Sequence, residues 1–142
     1  MEIKIKSFEI EDYEAIVSLW KRSEGIGLSA ADSREQISAY LEKNPGGSFT
    51  AWDGERLVGA VLCGNDGRRG YLHHLAVDPD YRRMGIGHQL SEACMAALAE
   101  QGIDKAHIFV FGANREGITF WERAGWYLRN ELVIMSYDIR KK

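Results

Sequence analysis

Residues 75–88 pass from an apolar strand end through a polar loop to Gly85 and Gly87, which open an amphipathic helix. The first N–H groups of a helix have no acceptor within the helix and carry a partial positive charge, so such a start attracts phosphate. Glycine lets the backbone approach a ligand closely, and Arg82 and Arg83 place positive charge beside the turn. The stretch therefore predicts an anion site; the alternative is a plain helix start with its arginines in water.

Two familiar phosphate-binding loops do not match this stretch. The dinucleotide fingerprint requires a third glycine where this chain has Leu90. A Walker loop requires the sequence Gly-Lys-Ser/Thr, which occurs nowhere in the chain. A nucleotide-binding module of either type is therefore disfavoured.

The chain before the loop alternates between strand and helix patterns. Apolar residues recur with period two at Ile3 and Ile5 and at helical spacing from Tyr13 to Trp20, and Ser33 is placed to cap a second helix. Asp-Gly pairs then separate runs that read as antiparallel strands joined by hairpins. These three predicted strands are 48–52, 56–64 and 70–77.

After the loop, the predicted elements are a helix over 86–98, a strand over 106–111, a helix over 115–124 and two final strands over 126–129 and 132–139. Antiparallel strands joined to a further strand by a helical crossover imply a mixed sheet. We expect an α/β (α+β mixed) fold: a mostly antiparallel sheet of about seven strands with helices on both faces. A length of 142 residues suits a single domain over 1–142.

Composition excludes several classes of partner. The net charge is −3, with no clustered excess of Lys and Arg, so neither a nucleic acid nor an anionic membrane is expected. No apolar run approaches the ~18 residues of a membrane span, and the first residues lack a signal-peptide core. Cys63 and Cys94 form no Cys-x-x-Cys pattern and are expected as buried thiols. A cytoplasmic location is expected.

Two sequence blocks carry a family resemblance. The run Arg82-Arg83-Met84-Gly85-Ile86-Gly87 matches the Arg/Gln-x-x-Gly-x-Gly/Ala signature of acetyl-CoA binding. Downstream, the run 120–126 (Phe-Trp-Glu-Arg-Ala-Gly-Trp) is similar to the usual Phe-Tyr-Glu-Lys-x-Gly-Phe. The chain thus resembles the GNAT superfamily of acyl-CoA-dependent N-acyltransferases, over essentially its whole length, because the order of elements is also that family's.

This resemblance implies acetyl-CoA as co-substrate and no metal. It places the pantetheine arm in a gap between a splayed parallel pair, 70–77 and 106–111, with a strand N–H polarising the thioester carbonyl. Backbone amides of the glycine loop would hold the pyrophosphate. The residues that it assigns to acyl-CoA are Leu75, Ala76, Val77, Arg82, Arg83, Met84, Gly85, Ile86, Gly87, His88, Asn114, Phe120 and Trp121.

The implied reaction is direct attack of an amine on acetyl-CoA in a ternary complex, which requires a base or a water chain to one. The candidates are Tyr71 and His73, which share the strand face of Leu75 and Val77. A near-neutral pKa suits histidine to this work. The alternative for His73 is a packed structural histidine.

Neighbouring strand residues point to opposite faces, so His74 is expected on the other side of the sheet in a structural role. For the same reason, a zinc site built from His73, His74 and Cys63 is not expected.

Trp121 departs from the family pattern, because the residue that often protonates the leaving thiolate is a tyrosine there. An indole N–H donates a hydrogen bond but is no practical proton donor. Three alternatives remain open: solvent protonates the thiolate, Tyr127 does so, or the chain binds acyl-CoA with little turnover. The third makes the protein a non-catalytic acyl-CoA-binding or sensor module.

On the acceptor side, Glu24 in the loop 22–32 could attract a cationic amine, and a plain surface loop is the alternative. The acceptor class implied by the resemblance is a small-molecule or peptide amine. Family members are often dimers, so the resemblance also suggests a homodimer.

Overall fold

Five strands form one mixed sheet in the computed structural model, which describes residues 2–140. The strands lie in chain order across the sheet, and only the last pair is parallel. The strands are β1 Ile3–Ser7, β2 Phe49–Asp53, β3 Arg56–Asn65, β4 Gly70–Val77 and β5 Ala106–Ile108. The helices are α1 Tyr13–Lys21, α2 Arg34–Lys43, α3 Ile86–Glu100 and α4 Arg115–Arg123.

The sequence signals explain the local elements. Gly54 and Gly67 have φ values of 61° and 92° in the two hairpin turns, a region that glycine enters at low cost. The Ser33 hydroxyl accepts a hydrogen bond from the Gln36 N–H and caps α2, as the sequence predicts. The connection through α3 is the crossover that allows β4 and β5 to run parallel.

Helices pack on both faces of the sheet. On one face, Trp20 of α1 and Ile37 of α2 are buried in a cluster that includes Leu62 of β3. On the other face α3 lies so close to β3 that a Cβ added to Gly59 would come within 3.0 Å of Leu90 Cδ1. The predicted mixed α/β fold with two helical layers is therefore confirmed.

Contacts divide the chain into two compact units, one ending at Phe109 and one beginning at Val110. The first contains the sheet and α1 to α3. In the second, the Asn114 side chain caps α4 by accepting a hydrogen bond from the Gly117 N–H. The rings of Trp121 and Trp126 meet edge-on at a centroid distance of 5.0 Å in the same unit.

The predicted strand count of about seven is too high. The part of the chain that the structure describes has no strand over 126–129 or 132–139, and the strand predicted over 106–111 ends at Ile108. Val133 and Met135 are 87% and 90% exposed. A strand requires a hydrogen-bonded neighbour, and alternation of apolar residues does not specify that neighbour. No helix among residues 2–140 is long and apolar enough to cross a membrane.

Candidate active site

The parallel ladder between β4 and β5 is short. It pairs Gly70 with Ala106, Tyr71 with His107 and Leu72 with Ile108. Residues 73–77 of β4 continue beyond the last of these pairs. The carboxyl half of β4 therefore has backbone groups that β5 does not use, which is the arrangement a splayed pair requires.

A β-bulge lies where this ladder stops. Leu62 of β3 pairs with His73 and Ala60 pairs with Ala76, so the single residue Val61 faces both His74 and its successor. His74 has a φ of 55°, in the left-handed region. That conformation costs a residue other than glycine about 1–2 kcal/mol, so contacts of this residue must offset the strain.

The bulge brings both histidines to the side of α1 and α2. The His73 ring lies 6.2 Å from the Tyr40 ring of α2, and the His74 ring lies 5.0 Å from the Trp20 ring of α1. The two imidazole centroids are 6.4 Å apart. The expectation that His74 lies on the opposite face is wrong, because the extra residue in β4 breaks the strict alternation of a regular strand.

His74 is held by both its side chain and its backbone. Its Nε2 lies 3.0 Å from Oδ1 of Asp32, and its carbonyl accepts a hydrogen bond of 2.9 Å from Trp20 Nε1. Asp32 is fixed in turn, because its Oδ2 accepts from the Ser29 N–H and its carbonyl accepts from the Tyr13 hydroxyl at 2.6 Å. The turn that precedes α2 is thereby attached to β4.

Sequence reasoning did not identify Asp32. Its only signal is the capping pattern Ser29-x-x-Asp32, which predicts a turn. That pattern says nothing of a histidine 42 residues further along the chain.

The surroundings of His73 favour its neutral form. Burial lowers the pKa of His73, a positive charge on neighbouring His74 lowers it further, and the Asp32 carboxylate acts in the opposite direction. The net shift is downward. Burial also raises the pKa of Tyr40, so this neighbour stays an uncharged phenol. A neutral imidazole can accept a proton at physiological pH.

The loop after β4 is fastened to the β2–β3 hairpin. Asp78 caps the 3₁₀ turn Pro79–Tyr81 by accepting a hydrogen bond of 2.9 Å from the Asp80 N–H. Its other carboxylate oxygen lies 3.1 Å from Nη2 of Arg56. The Tyr81 hydroxyl donates to Oδ2 of Asp53 at 2.6 Å. These bonds fix the path of the chain into the glycine loop.

The start of α3 fits a phosphate group. Arg83 and Gly85 have φ values of 65° and 82°, and the left-handed turn leads directly into the helix. No side chain caps α3, and its first turn holds no acidic residue. A Cβ on Gly85 would meet nothing within 4 Å, so the space beside this turn is open. The first N–H groups of α3 are therefore available to an anion.

The remaining predicted residues fall in separate surroundings. The Tyr71 ring lies 5.8 Å from His107 and 6.4 Å from Phe109, so it joins a row of aromatic rings along β4 and β5. Glu24 is exposed in the loop after α1. Asn114, Phe120 and Trp121 belong to the second unit. Within residues 2–140, no group of three or more His, Cys, Asp or Glu side chains is arranged to hold a metal ion.

Known proteins resemble this chain in both sequence and structure. The chain is 28% identical to an acetyltransferase of Sodalis glossinidius over 136 residues, 96% of this chain and 94% of that protein. It is similar in structure to Ard1 from Thermoplasma volcanium, with a TM-score of 0.81, 21% identity and coverage of 91% and 85% of the two chains. The PaiA N-acetyltransferase from Thermoplasma acidophilum in complex with coenzyme A gives a TM-score of 0.75 at 20% identity, covering 87% and 88%.

The segment from the start of α1 to the end of the second sequence block matches a single protein family. Residues 13–126 match the acetyltransferase (GNAT) family, which includes the glycine loop, the bulged strand β4 and helix α4. The protein is therefore a member of the GNAT family of acetyltransferases.

Proposed function

We propose that the protein transfers an acetyl group from acetyl-CoA to a primary amine of a small molecule or peptide, by direct attack in a ternary complex. One observation carries this proposal. Strand β4 extends beyond β5, its parallel partner, and leads through a hydrogen-bonded loop into the uncapped start of α3. An extended pantetheine arm that ends in a thioester needs free strand backbone groups, and the pyrophosphate that follows it needs free N–H groups at a helix start. The structurally similar PaiA protein is described in complex with coenzyme A.

In this proposal, backbone amides between Arg82 and His88 hold the pyrophosphate, and Arg82 and Arg83 are exposed beside them. Met84 is also exposed, whereas Ile86 is buried and anchors the helix start. Leu75, Ala76 and Val77 lie in the part of β4 beyond the ladder and supply backbone groups to the pantetheine arm. The roles of Asn114, Phe120 and Trp121 stay predictions of the sequence.

The acceptor amine must lose a proton before its lone pair attacks the thioester carbon. We assign the proton to His73, which is half-buried, has a lowered pKa and lies next to the point where the ladder stops. Tyr71, two residues earlier on β4, is the second candidate. As the new C–N bond forms and the C–S bond breaks, the electron pair leaves with the thiolate, which takes a proton from solvent.

A non-catalytic acyl-CoA-binding module is the second candidate function. The observation that favours it is Trp121, which stands where the family often has a proton-donating tyrosine. Its side chain is 7% exposed and packs against Trp126. A thiolate is a good leaving group without a protein acid, so we place the enzyme first.

Calorimetric titration with acetyl-CoA, CoA and ATP tests the site, and thiol release with a panel of primary amines tests the reaction. We expect micromolar binding of acetyl-CoA and CoA, none of ATP, and amine-dependent release of thiol. Binding without thiol release would favour the second candidate. If no CoA species binds, both candidates are wrong.

On the acceptor side, we propose that Glu24 attracts a cationic amine. Glu24→Gln should then raise KM for amines without changing the affinity for acetyl-CoA.

The cytoplasmic location and the homodimer stay predictions of the sequence. Light scattering after size-exclusion chromatography would measure the oligomeric state.

A further inference from the structure

The bulged segment of β4 keeps a strained histidine rather than a glycine. His74 adopts a φ of 55°, which glycine would adopt without the steric cost. Its imidazole is paired with Asp32 at 3.0 Å, and the two side chains are 19% and 11% exposed. The same bulge places the His74 ring 6.4 Å from the ring of His73. A carboxylate and two imidazoles thus form one partly buried cluster.

We propose that His74 and Asp32 are positioning residues that act on His73 in opposite directions: His74 engages the Asp32 carboxylate and so keeps His73 in the neutral form that accepts a proton from the acceptor amine. The catalytic meaning of this inference rests on the proposed function. Its electrostatic content does not, because the protonation of His73 can be measured directly.

An unpaired carboxylate at Asp32 would favour a proton on His73. A buried negative charge near an imidazole favours the protonated ring, which could not take a proton from an amine. With Nε2 of His74 bonded to Oδ1 of Asp32 and the Ser29 N–H bonded to Oδ2, both oxygens of this carboxylate are engaged. Any positive charge on His74 repels a proton on His73 as well. Both effects add to that of burial, which is the largest cause that favours the neutral His73 ring.

The other groups around His73 do not change this balance between His74 and Asp32. From α2, Tyr40 presents a phenol whose pKa burial raises, so it carries no charge. Directly after β5, Phe109 presents an apolar ring, at a centroid distance of 6.3 Å. From β3, the residue paired with His73 is Leu62. Tyr71 precedes it by two positions on β4 itself.

The proton then follows a balanced path. The ammonium form of the acceptor gives one proton to His73, and its lone pair forms the C–N bond as the thiolate departs. His73 returns that proton to solvent, the nitrogen loses its second proton to solvent, and the thiolate takes one proton from solvent, so one proton is released overall. His74 and Asp32 touch no reacting atom, so they are positioning residues.

The test is an NMR titration of the His73 imidazole in the wild type, His74→Asn and Asp32→Asn. Asparagine tolerates the left-handed region, so His74→Asn removes the imidazole, and any charge on it, without adding strain. His74→Asn should raise the pKa of His73, because Oδ1 of Asp32 loses its imidazole partner and no positive charge can form at position 74. Asp32→Asn should lower it. At the 6.4 Å that separates the two imidazole centroids, a unit charge shifts a pKa by about 0.5 unit even at the dielectric constant of water.

Glu35→Gln is the matched control, because it removes an exposed carboxylate from the first turn of α2 and should leave the titration unchanged. If His74→Asn unfolds the protein, His74→Gly replaces it, because glycine adopts this φ without the steric cost. The acid limb of kcat/KM against pH should move with each variant in the same direction as the His73 titration. A merely structural pair would lower kcat in both variants and leave that midpoint in place.

Two results would overturn the inference: shifts of the same sign in the two variants, or no shift at all. Opposite shifts in a protein that transfers no acetyl group would uphold the electrostatic role and reject the proposed reaction. The two failures are therefore distinguishable.

Discussion

The carboxylate of Asp78 lies 3.1 Å from Nη2 of Arg56 and 3.4 Å from Nη1 of Arg22, and its side chain is 3% exposed. Asp78→Ala would remove the partner of two guanidinium groups and the cap of the turn that leads into the glycine loop. We expect a loss of about 1–3 kcal/mol in the free energy of unfolding, measured in urea at pH 7. Asp80→Ala is the control, because Asp80 is 79% exposed and its contact with Arg56 is 3.6 Å. A larger loss in the control would contradict the assignment.

The contribution of Asp78 should depend on pH in a defined direction. Burial acts to raise the pKa of Asp78, but the Asp80 N–H and the guanidinium groups of Arg56 and Arg22 outweigh it and lower the pKa. A depressed pKa in the folded state gives stability that is complete above the unfolded value of about 4 and is lost as the pH falls through the folded value. The stability gap between wild type and Asp78→Ala should be constant between pH 5 and 7 and shrink in more acid solution. A gap that stays constant down to pH 2 would show that another contact is responsible.

Gly85→Asp should abolish CoA binding, because it places a carboxylate beside the first N–H groups of α3. Gly85→Asn is the matched control, since asparagine has the same shape without the charge and also tolerates the left-handed φ of 82°. Calorimetry should show at least a tenfold weaker affinity in the aspartate variant than in the asparagine variant. Equal affinities would move the pyrophosphate away from this turn.

His73→Gln should lower kcat by about 10²–10⁴-fold if His73 is the base, which is the usual contribution of general base catalysis. Tyr71→Phe keeps the ring contacts with His107 and Phe109 and should cost less than about tenfold. Thiol release at saturating acetyl-CoA measures both. The reverse order would assign the base to Tyr71.

Cys63 and Cys94 are both fully buried, which confirms the expectation from their apolar surroundings in sequence. The hydrogen bond with Cys63 and burial raise the pKa of Cys94, so this thiol is a poor nucleophile. We expect neither thiol to react with a disulfide reagent such as DTNB in the native protein, and both to react in guanidinium. Rapid labelling of one thiol without denaturant would indicate local opening between β3 and α3.

The sequence predicted the elements whose signals are local. The capping serine before α2, the Asp-Gly hairpins and the two glycines before α3 act within a few residues of where they stand, so each could be identified without the fold. The last two predicted strands failed for the opposite reason. Apolar alternation over 132–139 describes a strand, but a strand exists only where another strand accepts its hydrogen bonds.

The same difference between local and long-range signals holds for the candidate site. The glycine loop could be proposed as a phosphate site from the order of its residues alone, because binding there would depend on backbone groups of consecutive residues. The environment of His73 could not be predicted in this way, because it depends on a bulge and on Asp32, 42 residues before His74. A bulge changes the face of one residue through the register of a neighbouring strand, and no pattern within β4 reveals that register.

By itself the sequence determined the class of fold, the family and the loop at the start of α3, because these follow from periodicity, turn residues and contiguous backbone donors. Only the tertiary structure decided that His73 and His74 lie on one side of the sheet, that Asp32 holds His74, and that Arg22 and Arg56 meet at Asp78. These contacts join residues that are distant in the chain. Their charges interact strongly only once folding has placed them within a few ångströms and removed most of the surrounding water.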